Sequence, residues 1–388
     1  MKSNQKKMIY LSPPHMSGLE EKYIQEAFDT NWIAPVGPNI DALEQEFCKK
    51  MNIKHSVALS SGTAALHLAM RVLDIGEGDI VFCSNFTFIA SATPILYQKA
   101  TPVLIDSDSK SWNMCPKLLS RALDDASKEN KLPKAIIAVG LYGQSPDMNK
   151  ILEISNHYKI PVIEDSAESL GARYKNNESG TIGKIGIFSF NGNKIITGSG
   201  GGMLVSNNSS LVEKARKLST QAREPTMHYE HKELGYNYRM SNIVAGICRG
   251  QLEVLDQRVK ARRTIFKKYK DMLKGIKDIN WMPEPDWSYS TRWLSCFFID
   301  NEKNFEPRDL ISFLLLQEIE ARLLWKPLHL QPILKGTKLY SEILPDTKKS
   351  FSEKIYDYGI CLPSGSNMTD EDIERVVSSV KIFFDKCI

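Results

Sequence analysis

The sequence predicts an α/β protein: a mostly parallel sheet of about seven strands, clad by helices on both faces, followed by a smaller α+β unit. Three observations lead there. Between about residues 55 and 206, short and almost wholly apolar runs alternate with helical patterns, as in a parallel sheet buried on both faces. At 388 residues the chain is too long for one ordinary core. A long helical stretch from about Asn242 to Lys274 then separates this region from one of mixed character.

The elements follow in order. Val57-Ala-Leu-Ser reads as a strand, and Thr63-Ala-Ala-Leu-His-Leu-Ala-Met-Arg-Val-Leu as a helix. Ile80-Val-Phe-Cys is strand-like, a helix begins near Ser91-Ala-Thr-Pro, and Pro102-Val-Leu-Ile-Asp is a further strand. Ala135-Ile-Ile-Ala-Val, a helix after Pro146-Asp147, Val162-Ile-Glu-Asp, Ile187-Phe-Ser-Phe and Gly202-Met-Leu-Val-Ser complete the alternation. The second half of the 242–274 stretch is rich in Arg and Lys and reads as an exposed helix bridging two units. The expected division is residues 1–250, N-terminal segment included, and residues 251–388. Beyond the bridge, Trp293-Leu-Ser-Cys-Phe-Phe-Ile and a 308–320 helix suggest α+β structure, and Thr369-Asp-Glu-Asp reads as a capping box for the last helix.

Composition excludes several classes. A net charge of +4 is small for this length and does not point to nucleic acid. No apolar run reaches the ~18 residues of a membrane span, and the basic start of the chain leads into Leu11-Ser-Pro-Pro rather than an apolar signal core, so a cytoplasmic location is expected. Seven cysteines without a C-x-x-C pair read as reduced thiols. His228 and His231 form an H-x-x-H that no neighbouring pair completes, so no metal site is expected.

Chemistry in an open parallel sheet belongs at the carboxyl ends of the strands. Ser60-Ser61-Gly62-Thr63 joins a strand to a helix, where free amides and a close-approach glycine suit a phosphate. Asp165 ends a buried strand and needs a cation, unless it merely caps the next helix. Ser189 offers a hydroxyl, or simple packing. Lys194 follows in Phe188-Ser-Phe-Asn-Gly-Asn-Lys-Ile-Ile-Thr-Gly-Ser-Gly-Gly-Gly. Alone it reads as a surface lysine in a Gly-rich turn. With the others it matches what pyridoxal 5′-phosphate (PLP) requires: a carboxylate for the pyridine nitrogen, a hydroxyl for the phosphate and a lysine holding the aldehyde as a Schiff base. Phe88 follows a strand end and can stack on the ring or pack in the core. Asn237 and Arg239, in Gly235-Tyr-Asn-Tyr-Arg-Met-Ser-Asn, exceed what a Ser241-capped helix start requires.

With these motifs the chain resembles the PLP-dependent sugar aminotransferases of the DegT/DnrJ class, built on the aspartate aminotransferase fold. The resemblance runs through Leu11-Ser-Pro-Pro-His-Met, Ile33-Ala-Pro, Ser61-Gly-Thr-Ala-Ala-Leu-His, Phe86-Thr-Phe-Ile-Ala-Ser, Leu141-Tyr-Gly, Glu164-Asp-Ser-Ala-Glu, the Lys194 loop, Gly235-Tyr-Asn-Tyr-Arg, Pro327-Leu-His and Cys361-Leu-Pro-Ser-Gly. It implies that Lys194 carries the aldehyde, Asp165 pairs with the pyridine nitrogen and Phe88 stacks on the ring. Gly62, Thr63 and Ser189 would hold the phosphate, and Asn237 would reach it from the neighbouring subunit of a homodimer with shared active sites. Two departures stand out: Glu168 replaces a common Gln or His, and Ser199 replaces a common glutamate. Together with Asn-Gly-Asn before Lys194, they look most like 4-aminotransferases acting on UDP-4-keto-6-deoxy-N-acetylglucosamine in bacterial glycan synthesis. L-Glutamate would be the amine donor, with pyridoxamine phosphate as the intermediate cofactor form.

Around that core, Glu168 is a candidate for cofactor or sugar contact. Arg239 and Arg322 are candidates for anion contacts; His15, Met16, Ile33, Pro35 and His329 are candidates for the sugar side. Neighbouring 3- or 4-keto nucleotide sugars remain alternative substrates. A lyase on the same fold, such as a cysteine desulfurase, is a second reading, although no cysteine lies on a loop near the motifs. A non-catalytic regulator is a third, opposed by the intact Lys194 and Asp165 and by the lack of a DNA-binding segment.

Overall fold

The seven apolar runs form strands of one sheet in the computed structural model, which describes residues 7–300 and 306–387. The basic residues 1–6 lie outside the described residues. From one edge the order is His55–Leu59, Gly202–Ser206, Ile185–Ser189, Val162–Asp165, Ala135–Val139, Ile80–Ser84, Thr101–Ile105 and Leu339–Tyr340. Gly202–Ser206 alone runs against its neighbours. The sheet therefore has an eighth strand beyond the expected seven. Leu339–Tyr340 pairs with Leu104 and Ile105 from far along the chain, and a two-residue strand carries no readable period.

Alternation along the strands fills both faces. Val57, Leu59, Ile137, Val139 and Ile187 pack with Ala65, Leu68 and Val72 of the Gly62–Val72 helix. On the opposite face, Ile136 and Ala138 pack with Leu119 and Leu123 of Pro116–Lys128 and with Ile151 of Met148–His157.

A second, antiparallel sheet runs Ile279–Trp281, Ser295–Ile299, Gly359–Leu362 and Arg322–Leu323. The helices Pro307–Leu316 and Asp370–Cys387 cover it, and Ile9 from the start of the described chain joins their core. The Thr369 capping box forms: Asp372 N donates to Thr369 Oγ1 at 3.2 Å, and Thr369 N to Asp372 Oδ2 at 3.1 Å.

The expected bridge is two helices, Asn242–Glu253 and Leu255–Met272, breaking at Val254. Ser241 caps the first through Val244 N at 3.2 Å. The second exposes Lys260, Lys267 and Lys270 as its charge suggested, but buries Arg258 and Arg262 beside Val259, Ile265 and Tyr269. Among the described residues no helix is long and apolar enough to cross a membrane.

Candidate active site

Pairing register brings the predicted residues together. Gly202 lies opposite Leu59 on one side and Ser189 on the other, so the turn after Leu59 meets the end of the Ser189 strand. A side chain at Gly202 would overlap the Ser61 carbonyl carbon and the Gly62 amide. At Gly62, an added Cβ would sit 3.0 Å from Ser189 Cβ. Ser61 caps the 62–72 helix, its Oγ accepting from Ala64 N at 3.0 Å, and the first backbone helical bond is made by Ala65 N. The amides of Gly62 and Thr63 precede that bond and sit at the positive end of the helix. This is an anion cradle.

A cavity of about 300 Å³ opens above it, lined by Gly62, Thr63, Phe88, Asp165, Glu168, Ser189 and Lys194. Asp165 Oδ2 accepts from Ser91 Oγ at 2.7 Å and Oδ1 from Ala167 N at 3.2 Å. Burial pushes its pKa up, against those hydrogen bonds and the Lys194 charge. Glu168 accepts from Tyr142 N at 2.9 Å and Trp325 Nε1 at 3.0 Å, and burial raises its pKa as well. Lys194 Nζ stands 3.9 Å from Glu168 Oε1, its side chain only 11% exposed. Burial lowers its pKa, opposed by Glu168 and then by Asp165. A largely buried amine thus stays nucleophilic at a lower pH than an exposed lysine.

These residues fit PLP. The cradle takes a phosphate, two buried carboxylates line the same cavity and suit a cation, and a depressed-pKa amine faces the same space. Glu168→Gln should lower the Lys194 pKa further, since it removes the nearer of the two charges that raise it. More neutral amine is expected at a given pH below that pKa. Competitive acylation of the cofactor-free enzyme, followed by peptide mass spectrometry across pH, reads this; a shift to higher pH contradicts it.

An aromatic wall closes the far side, and local spacing did not reveal it. Phe88 lies 5.2 Å from Trp325, which stacks on Tyr142 at 6.1 Å, which in turn faces Trp293 at 6.3 Å. Tyr142 is buried with φ 49°, a costly conformation held by its amide bond to Glu168 and by its hydroxyl, which accepts from Trp325 N at 2.7 Å. Ser91 could have been found, since it lies in the Phe86–Ser91 motif three residues past the predicted contact Phe88. A second cavity of about 380 Å³ adjoins this wall, sharing Asn193 and Trp325 and reaching Tyr10, Pro13 and Arg322.

Other candidates stand elsewhere. Arg239 donates to Glu44 Oε1 at 2.9 Å and the Ala58 carbonyl at 3.0 Å, away from both cavities. Arg322 reaches the second cavity but pairs with Glu320 at 2.5 Å. His15 is held by Ser366 and Arg258, and His329 by Asn85 at 3.0 Å with Glu353 at 3.5 Å. Met16, Ile33, Pro35 and Asn237 are exposed and line neither cavity. His228 bonds to Glu230 and His231 to the Gln221 carbonyl, and no group of three or more metal-ligating side chains forms among the described residues. Six cysteines are free thiols.

The sheet and this cavity define a PLP-dependent aminotransferase. The chain belongs to the DegT/DnrJ/EryC1/StrS aminotransferase family, whose profile matches residues 14–381. EpsN of Bacillus subtilis (strain 168), whose name describes a pyridoxal phosphate-dependent aminotransferase, is 54% identical over 371 residues, covering 96% of this chain and 94% of its own. GDP-perosamine synthase of Vibrio cholerae is 33% identical, covering 98% and 100%. Among solved structures, a DegT DnrJ EryC1 StrS aminotransferase from Brucella abortus superposes with TM-score 0.86 at 26% identity, covering 94% of this chain and 95% of that one. The aminotransferase PseC of Helicobacter pylori shares the fold with TM-score 0.89 at 22% identity.

Proposed function

We propose that this sugar aminotransferase moves an amino group from L-glutamate to the C4 keto group of a nucleotide-linked 4-keto-6-deoxy sugar, UDP-4-keto-6-deoxy-N-acetylglucosamine, in the cytoplasm, for bacterial glycan synthesis. The observation that carries the chemistry is the buried Lys194 amine facing Asp165 and Glu168 above the Gly62–Thr63 cradle. Bound PLP supplies the electron sink that lets a proton leave the amine-bearing carbon. Asp165 holds the positive charge at the pyridine nitrogen. Lys194 would hold the cofactor aldehyde and supply the amine that moves the proton. The Gly62 and Thr63 amides and Ser189 hold the phosphate, and Phe88 covers the ring. The adjoining chamber of about 380 Å³ beside Arg322 supports a place for the sugar nucleotide next to the cofactor cavity.

Likeness to the Vibrio cholerae enzyme, whose name specifies a GDP-linked product, supports a second reading in which the substrate is a GDP-linked 4-keto sugar. A panel of UDP- and GDP-linked keto sugars with glutamate, with products identified by NMR, decides between them. Turnover of the UDP N-acetylated sugar is expected; exclusive turnover of a GDP sugar favours the second reading.

The exposed position of Asn237, outside the cavity of its own chain, supports a homodimer in which it reaches the partner's phosphate. Asn237→Ala should weaken PLP binding about ten- to a hundredfold, the scale of one hydrogen bond to a charged group. Mixing Lys194→Ala with Asn237→Ala chains should place both lesions in one site and restore the other, recovering up to half of wild-type activity per dimer. No recovery after subunit exchange, verified by mass spectrometry, would remove the shared site.

A further inference from the structure

Arg262 is among the most deeply buried large side chains of the molecule, 1% exposed, on the Leu255–Met272 helix. Its partners are three neutral oxygens. Nη1 donates to the Trp293 carbonyl at 2.6 Å and the Ser364 carbonyl at 3.0 Å, and Nη2 to Ser12 Oγ at 3.0 Å. Its Nε has no partner, and the charge that acts on it is another cation, Arg258. A buried guanidinium without a carboxylate is expensive, and packing alone would be better served by an apolar residue.

Two groups that Arg262 fixes converge on one atom. Ser12 Oγ donates to the Asn193 carbonyl at 2.7 Å, and Trp293 Nε1 donates to the same carbonyl at 2.8 Å. Asn193 immediately precedes Lys194 in a polar loop, and the Lys194 amine lies 4.4 Å from the centre of the Trp293 ring. The three anchors come from distant parts of the chain: the N-terminal segment, the 255–272 helix and the turn before Ser295. Together they clamp the peptide unit from which the lysine projects.

We propose that Arg262 is a positioning residue for Lys194, acting through Ser12 and Trp293 on the Asn193 carbonyl. This rests on the reading that Lys194 carries the cofactor aldehyde. Fixing the loop raises the effective concentration of the lysine amine at that aldehyde over any amine arriving from solution. A free donor amine must overcome this advantage to displace the lysine, so the clamp sets how readily the first half of the reaction begins.

The test compares holoenzymes of wild type, Ser12→Ala, Arg262→Met and Arg262→Lys. Borohydride reduction followed by peptide mapping first reads whether Lys194 holds the cofactor. Titration with methoxyamine, followed by absorbance, then reads the concentration that displaces the lysine. Ser12→Ala removes one of the two hydrogen bonds on the Asn193 carbonyl, together with the bond from Arg262 Nη2, and little volume, so about fivefold less methoxyamine is expected to suffice. Arg262→Met should need less still, and Arg262→Lys should fall between Met and wild type. In a Lys194→Ala background, Ser12→Ala should leave PLP affinity unchanged, because the clamp acts only through the lysine.

An unlabelled Lys194 would overturn the underlying reading. A labelled Lys194 with a wild-type displacement concentration in Ser12→Ala would overturn the clamp alone. So would an equal loss of PLP affinity with and without Lys194, the signature of a general packing defect. Should Arg262→Met fail to fold, Ser12→Ala and Arg262→Lys still decide the matter.

Discussion

Lys194→Ala is expected to reduce turnover by more than about 10⁴-fold, because one amine both holds the cofactor and moves the proton. Nothing else in the cavity replaces it: Asp165 and Glu168 are carboxylates, and burial pushes both pKa values up. The fold should survive, since Lys194 belongs to none of the hydrophobic clusters and lines the cavity. Its loss leaves two buried carboxylates without their cation, so both should bind protons to still higher pH. A raised carboxylate pKa in the folded state favours folding at low pH and costs stability as pH rises through it. The cofactor-free variant should therefore lose more stability than wild type between weakly acidic and alkaline pH, readable by denaturant titration at several pH values. Near wild-type turnover would remove Lys194 from the chemistry.

Asp165→Asn is the second large effect. The amide keeps the shape and can still meet Ser91 Oγ, 2.7 Å away in the native protein, but carries no charge to hold the pyridine proton. A loss of at least about 10² in rate is expected, the scale of removing a preorganised electrostatic group. Cofactor binding should be less affected, because the phosphate cradle at Gly62 and Thr63 is untouched. Unchanged turnover with collapsed PLP affinity would make Asp165 a docking group only. Rate and affinity must be measured separately on the same preparation.

Much of this site was legible in the sequence because it lies where parallel strands end. Asp165 and Ser189 close strands, and Ser61-Gly62-Thr63 follows one, so an apolar run stopping at a polar residue located them in advance. What local patterns missed arrives from elsewhere in the chain. Trp325 and Trp293 belong to the region of the second sheet and reach the cavity only through tertiary packing, which leaves no local spacing to read. Arg239 shows the same limit: its surroundings suggested an anion, and within this chain its partner is Glu44, from a helix nearly two hundred residues earlier. The charge of the 255–272 helix informed only in part, because sequence counts charges and cannot see that the fold buries Arg258 and Arg262.

The strand Leu339–Tyr340 has a consequence for biosynthesis. The Thr101–Ile105 edge that it covers leaves the ribosome long before residue 340 does. Throughout that interval the nascent sheet shows a row of unsatisfied backbone groups, flanked by apolar side chains, to any neighbouring chain. A chain that stopped after Ser206 and before Leu339 would have its phosphate cradle and its lysine yet carry an adhesive border. Aggregation of such truncated chains, relieved by supplying the missing segment in trans, is the signature this arrangement would leave in a translation reaction.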